Sequence, residues 1–126
     1  LEEGNIVTEY VPFKEFENKD VYSTEEQRIG TWIDGKPLYR KEIDFGTLPN
    51  QSNKDVAHGV LNMDTVIKVD GVASYSGTGI AMPYAHWQTE LSVSLLVLGS
   101  DIRIPAGSDR SNYVAYIIIE YTKTTD

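Results

Sequence analysis

The sequence predicts an all-β protein, and three observations carry that prediction. Short runs rich in β-branched and aromatic residues recur along the chain. Clusters of turn-forming residues separate these runs at intervals of about 8 to 12 residues, as in antiparallel sandwiches. No segment shows the apolar spacing of a helix of ten or more residues. The sequence therefore predicts an antiparallel β-sandwich of about seven or eight strands.

The chain divides into an N-terminal arm and one sandwich domain, which is either jelly-roll-like or immunoglobulin-like. Residues 1–27 are rich in glutamate and poorly patterned, so we expect an arm or linker there, with one short strand near residues 6–10. Ser23 to Gln27 resembles a capping box and predicts a short helical turn. Residues 28–126 are expected to form the sandwich. With 40% hydrophobic residues, this chain can bury a core of its own.

The strands are predicted in order from their apolar runs and the turns between them. Asp34-Gly35-Lys36 is a tight-turn signal between the first two runs. The last run alternates with apolar residues on both faces up to Ile119, which predicts a central, buried strand. The predicted strands are residues 31–33, 37–45, 65–75 with a break at Gly71, 80–84, 91–98, 102–104 and 113–121.

Composition excludes several classes of protein. The net charge of −8 leaves no basic stripe to neutralise phosphates, so neither nucleic acid nor an anionic membrane surface is an expected partner. The absence of cysteine excludes disulfides, thiolate metal sites and a cysteine nucleophile. No window approaches the roughly 18 apolar residues of a membrane-spanning helix, and no membrane insertion is expected. Because the chain begins at Leu1, we expect a fragment or processed product of a longer protein.

The residues that usually carry catalysis do not form a recognisable pattern. The two histidines, His58 and His86, are not accompanied by a Gly-x-Ser-x-Gly nucleophile motif or by metal-ligand spacing. Each is expected to be a hydrogen-bonded loop or half-buried side chain. Asp101 and Asp109 lack the regular spacing of a calcium loop and are attributed to turns. The sequence therefore predicts that the chain is not an enzyme and binds no cofactor or metal.

Aromatic residues supply the one candidate binding site. The chain contains eight Tyr and two Trp. Tyr84, His86, Trp87 and Gln88 fall in a predicted loop between two strands, where exposed aromatic rings with polar neighbours can stack on sugar rings. The alternative is that Trp87 packs in the core or at a subunit contact. Trp32, beside a tight hairpin, is expected to be structural.

Several segments resemble, in the same order, a module of bacteriophage and prophage tail proteins. The similarity extends over residues 22–126 and is to the C-terminal module of tail fibre, minor structural or receptor-binding proteins, chiefly of phages that infect Firmicutes and other gut bacteria. The matching segments are Tyr22–Gln27, Gly30–Lys41, Leu48–Asn50, Val56–Val60, Asp64–Ile67, Met82–Tyr84, Asp109–Tyr113 and Ile119–Asp126.

This resemblance implies a role and an assembly. The module is expected at the distal tip of a homotrimeric fibre, in the virion tail, where it meets a glycan or wall polymer on the host cell surface. Residues 2–26 would join it to the shaft. Trimers would also hide edge strands that an isolated sandwich must protect. The resemblance assigns no particular binding residues.

Two other functions remain open at this point. A carbohydrate-binding module of a secreted or virion-associated hydrolase would be a monomer with a definite aromatic platform. A purely structural trimerisation cap would bury Tyr84, His86 and Trp87 between subunits and leave host attachment to other parts of the virion.

Overall fold

The computed structural model describes residues 21–124. These residues form eight β-strands and one turn of 3-10 helix at Thr89–Leu91. The strand predicted near residues 6–10 lies outside the described part. The strands are β1 (Gln27–Thr31), β2 (Pro37–Thr47), β3 (Asn53–Ala57), β4 (Met63–Tyr75), β5 (Thr78–Met82), β6 (Leu96–Val97), β7 (Asp101–Pro105) and β8 (Val114–Lys123).

The strands form two antiparallel sheets that pack face to face. One sheet has five strands in the order β1-β2-β8-β4-β5, and the other has three in the order β3-β7-β6. The predicted all-β sandwich is therefore confirmed. The helical turn predicted at residues 23–27 is wrong: Ser23 Oγ accepts a hydrogen bond from the Glu25 N–H, but β1 begins at Gln27.

Strand β8 occupies the centre of the larger sheet, between β2 and β4. Its inner face, Ala115, Ile117, Ile119 and Tyr121, is completely buried and meets Ile102 and Ile104 of β7 in one core. Its central position confirms the prediction. Its outer face, however, is not fully buried, because Val114 and Tyr116 are 37% and 47% exposed.

Gly71 does not interrupt β4, in contrast to the predicted break. The strand continues from Met63 to Tyr75, with Gly71 paired to both Ile117 and Met82. A Cβ at Gly71 would lie 2.9 Å from Ile117 Cδ1 and 3.0 Å from Leu95 Cδ2. The glycine therefore makes room for core side chains.

The residues just before β1 contact the larger sheet. The Tyr121 hydroxyl donates to Glu26 Oε1 at 2.6 Å, and Lys123 Nζ lies 2.8 Å from Glu26 Oε2. The Arg40 guanidinium lies 4.0 Å from the centroid of the Tyr22 ring. Burial, reinforced by the Glu26 carboxylate, raises the pKa of Tyr121 far above its usual value. The predicted boundary between arm and domain falls at the first residues of β1.

His58 is a structural residue of the β3–β4 loop, and it is buried rather than half-buried. The Val60 N–H donates to His58 Nδ1 at 3.1 Å, and His58 Nε2 lies 3.0 Å from the Leu98 carbonyl oxygen. Both ring nitrogens therefore have backbone partners within hydrogen-bond distance. The imidazole thereby ties this loop to the β6–β7 turn.

We expect Ile117→Ala to lower the free energy of unfolding by about 2–5 kcal/mol, because it leaves a cavity at a completely buried position of the core. Urea denaturation followed by circular dichroism measures this change. The matched control is Ile33→Ala at the β1–β2 turn, where the side chain is 90% exposed. Equal losses in the two variants would contradict the central role of β8.

Candidate functional site

The predicted binding residues lie in one ordered loop, the Trp87 loop, defined as residues 83–92 between β5 and β6. It begins after a cis peptide bond between Met82 and Pro83. Tyr84 and Val93 exchange two backbone hydrogen bonds, of 2.7 and 2.9 Å, across the base of the loop. Val93 also bridges to Ala106 at the end of β7. Both ends of the loop are therefore anchored to the sandwich.

Hydrogen bonds within the loop fix its shape. The His86 N–H donates to Ser92 Oγ at 3.1 Å, and the Gln88 N–H donates to His86 Nδ1 at 3.0 Å. The Leu91 N–H donates to the Gln88 carbonyl oxygen at 2.9 Å and closes the 3-10 turn. The loop therefore satisfies several of its own backbone groups.

Trp87 stands at the tip of this loop with its side chain 85% exposed. The His86 ring stacks against it, with centroids 5.7 Å apart and planes inclined by 29°, and the Tyr84 ring lies 6.0 Å from that of His86. Tyr84, His86 and Gln88 are half-buried. The structure therefore brings all four predicted residues together but presents only Trp87 widely to solvent, while the others support it.

Two residues that sequence reasoning missed hold the loop from beneath. Arg110 Nη2 donates to the Leu91 carbonyl oxygen at 2.6 Å, and its guanidinium lies 5.6 Å from the centroid of Tyr84. Gly107 lies directly under Glu90. A Cβ added at Gly107 would lie 2.9 Å from the Glu90 carbonyl carbon. From the sequence, Asp109 is attributed to a turn, and no spacing signal connects that turn with the Trp87 loop.

This arrangement suits binding by stacking. An indole offered on a hydrogen-bonded loop provides a flat apolar face, and the half-buried Gln88 beside it carries a side-chain amide that can donate and accept hydrogen bonds. Such a combination matches the alternating apolar and hydroxylated faces of a sugar ring. Within residues 21–124, no group of three or more His, Asp or Glu side chains is placed to hold a metal ion.

A second polar feature lies in a side groove of about 240 Å³ between β2 and β3. Glu42 and Asp44 line it together with Thr24, Lys41, Val56 and His58. Burial, together with a hydrogen bond that protonated Glu42 donates to Asp44 and the negative charge of Asp44, raises the pKa of Glu42 to about 7. Glu42 therefore holds a proton below about pH 7, and above that pH its charge is repelled by the neighbouring Asp44.

We expect Glu42→Gln to stabilise the folded protein at pH 8 and to leave its stability nearly unchanged at pH 5. The folded state holds a proton on Glu42 up to about pH 7, whereas an ordinary glutamate releases it near 4.5. This contribution to stability is complete below pH 4.5 and is lost as the pH rises through 7. Melting temperatures of the wild type and the variant at both pH values test this expectation. The control is Glu25→Gln, which changes an exposed glutamate in the same way. Parallel pH profiles for wild type and Glu42→Gln would contradict this account.

Among residues 21–124, no helix has the length and apolarity needed to span a membrane. Comparison of the chain with protein-family models, with curated proteins and with solved structures yields no significant match.

Proposed function

We propose that this chain is the C-terminal domain of a phage tail fibre or related tail structural protein and that it attaches to host cells by binding a surface glycan or wall polymer. The observation that carries the binding role is the exposed Trp87 indole on an anchored loop. The resemblance of residues 22–126 to tail-protein modules supports the placement in a virion.

An exposed tryptophan on an ordered loop favours recognition for an energetic reason. Burying a large aromatic side chain on a ligand removes much apolar surface from water, and an indole has few rotatable bonds to immobilise. The hydrogen bonds at the base of the loop mean that most of the ordering cost is met before the ligand arrives. Tryptophan is accordingly enriched among residues that dominate binding energies.

A single shallow site of this kind gives weak affinity, so the proposed function includes a homotrimer. Three linked sites on one tip raise the overall avidity by about 10² to 10⁴ when they engage one surface together. On the outer face of the five-stranded sheet, Val72, Val114 and Tyr116 form an apolar patch, each more than a third exposed, which supports self-association.

A carbohydrate-binding module attached to a hydrolase is the second candidate, because the same Trp87 platform would serve it. The two candidates differ in assembly: the fibre domain is a trimer and the module is a monomer. A purely structural cap differs from both, since it requires no ligand at Trp87.

Trp87→Ala is expected to weaken binding to bacterial surface polysaccharides about tenfold or more, because it removes the stacking surface while leaving the core intact. The probes are an array of such polysaccharides and purified cell-wall fragments. Ile33→Ala is the matched control, since it removes another highly exposed apolar side chain from a different turn. Wild-type binding by Trp87→Ala, or no binding by the wild type to any probe, would contradict the proposal.

Light scattering is expected to give three times the mass of a single chain, independent of concentration. A monomer at every concentration would contradict the trimeric fibre domain and favour the carbohydrate-binding module. A trimer that loses its assembly in Trp87→Ala would instead favour the structural cap, because Trp87 would then be a subunit contact.

A further inference from the structure

We infer that Arg110 is the positioning residue of the Trp87 platform, a role that rests on the proposed function of the loop. Its guanidinium lies 5.6 Å from the ring centroid of Tyr84 and 5.8 Å from that of Tyr113. Tyr84 lies at the start of the Trp87 loop, next to Pro83, and Tyr113 immediately precedes β8. Arg110 therefore connects the loop to the strand at the centre of the fold.

The guanidinium also connects to the far side of the loop. Arg110 Nη2 donates a hydrogen bond of 2.6 Å to the carbonyl oxygen of Leu91, the last residue of the 3-10 turn. A charged donor makes such a bond stronger than one between neutral groups. One side chain thus holds both the beginning of the loop, through Tyr84, and its end, through Leu91.

The backbone of Arg110 is itself fixed. Its N–H donates to the Pro49 carbonyl oxygen at 3.2 Å, and its carbonyl oxygen accepts from the Tyr113 N–H at 2.9 Å. Nearby, the Gly107 N–H donates to the Ser92 carbonyl oxygen at 3.3 Å. Residues 107–110 are therefore bonded both to the Trp87 loop and to the segments at Pro49 and Tyr113.

The chemistry of this position requires arginine. A planar guanidinium can lie on an aromatic ring while one of its N–H groups donates in another direction. Lysine supplies the charge and one donor but cannot stack in this way. Loss of Arg110 would leave the loop anchored at its base only, so its tip would lose order and ligand binding would have to restore it at a cost in affinity.

The experiment follows the local motion of Trp87 by time-resolved fluorescence anisotropy in a Trp32→Phe background, where Trp87 is the one remaining tryptophan. Arg110→Ala is expected to add a fast depolarising motion and to weaken wall-fragment binding several-fold. Arg110→Lys is expected to show intermediate values for both. Gly107→Ala, which pushes Glu90 away from the turn, is expected to increase the motion as Arg110→Ala does.

The matched control is Arg103→Ala, which removes a two-pronged ion pair with Asp55 on the three-stranded sheet. It is expected to leave the anisotropy of Trp87 unchanged.

An unchanged anisotropy in Arg110→Ala with an intact fold would overturn the inference. If Arg110→Ala does not fold, Arg110→Lys and Gly107→Ala decide the question, and wild-type anisotropy in both would overturn it. The two claims can fail separately. If Trp87 becomes mobile in Arg110→Ala, the positioning role stands. If Trp87→Ala binds wall fragments as the wild type does, the proposed function is rejected.

Discussion

The burial of one face of β8 is the constraint on which the rest of the structure depends. Ile117 lies opposite Ile43 on β2 and Gly71 on β4, so it meets both neighbouring strands as well as the facing sheet. Removing these aliphatic side chains from water supplies the main driving force that a domain without disulfides can use. Gly71 is part of the same constraint, because only a residue without a side chain leaves the space that Ile117 and Leu95 occupy.

Residues at the two ends of β8 contact segments at the surface of the domain. At one end, Tyr113 supports Arg110 and through it the Trp87 loop. At the other end, Tyr121 and Lys123 hold Glu26 and with it the segment that leads into β1. The proposed binding loop and the segment that leads into β1 thus lie near opposite ends of one strand.

The candidate site consists of one exposed aromatic ring and the residues that support its loop. Trp87 contributes a flat apolar surface, and hydrogen bonds among His86, Gln88 and Ser92 fix the loop backbone on either side of it. A preorganised platform loses little entropy on binding, which makes weak individual contacts useful once several copies act together. The side groove between β2 and β3 is a separate feature. The charge of Glu42 in this groove changes near pH 7.

The sequence by itself determined the fold class and the central place of β8. It also determined that one loop carries four candidate residues: Tyr84, His86, Trp87 and Gln88. These follow from alternation and turn chemistry, which are local properties of the chain. Only the tertiary structure decided that β4 runs unbroken through Gly71, that residues 23–27 form no helical turn and that Arg110 supports the loop. Each of these depends on side chains distant in sequence, and a local pattern contains no record of which distant residues become neighbours.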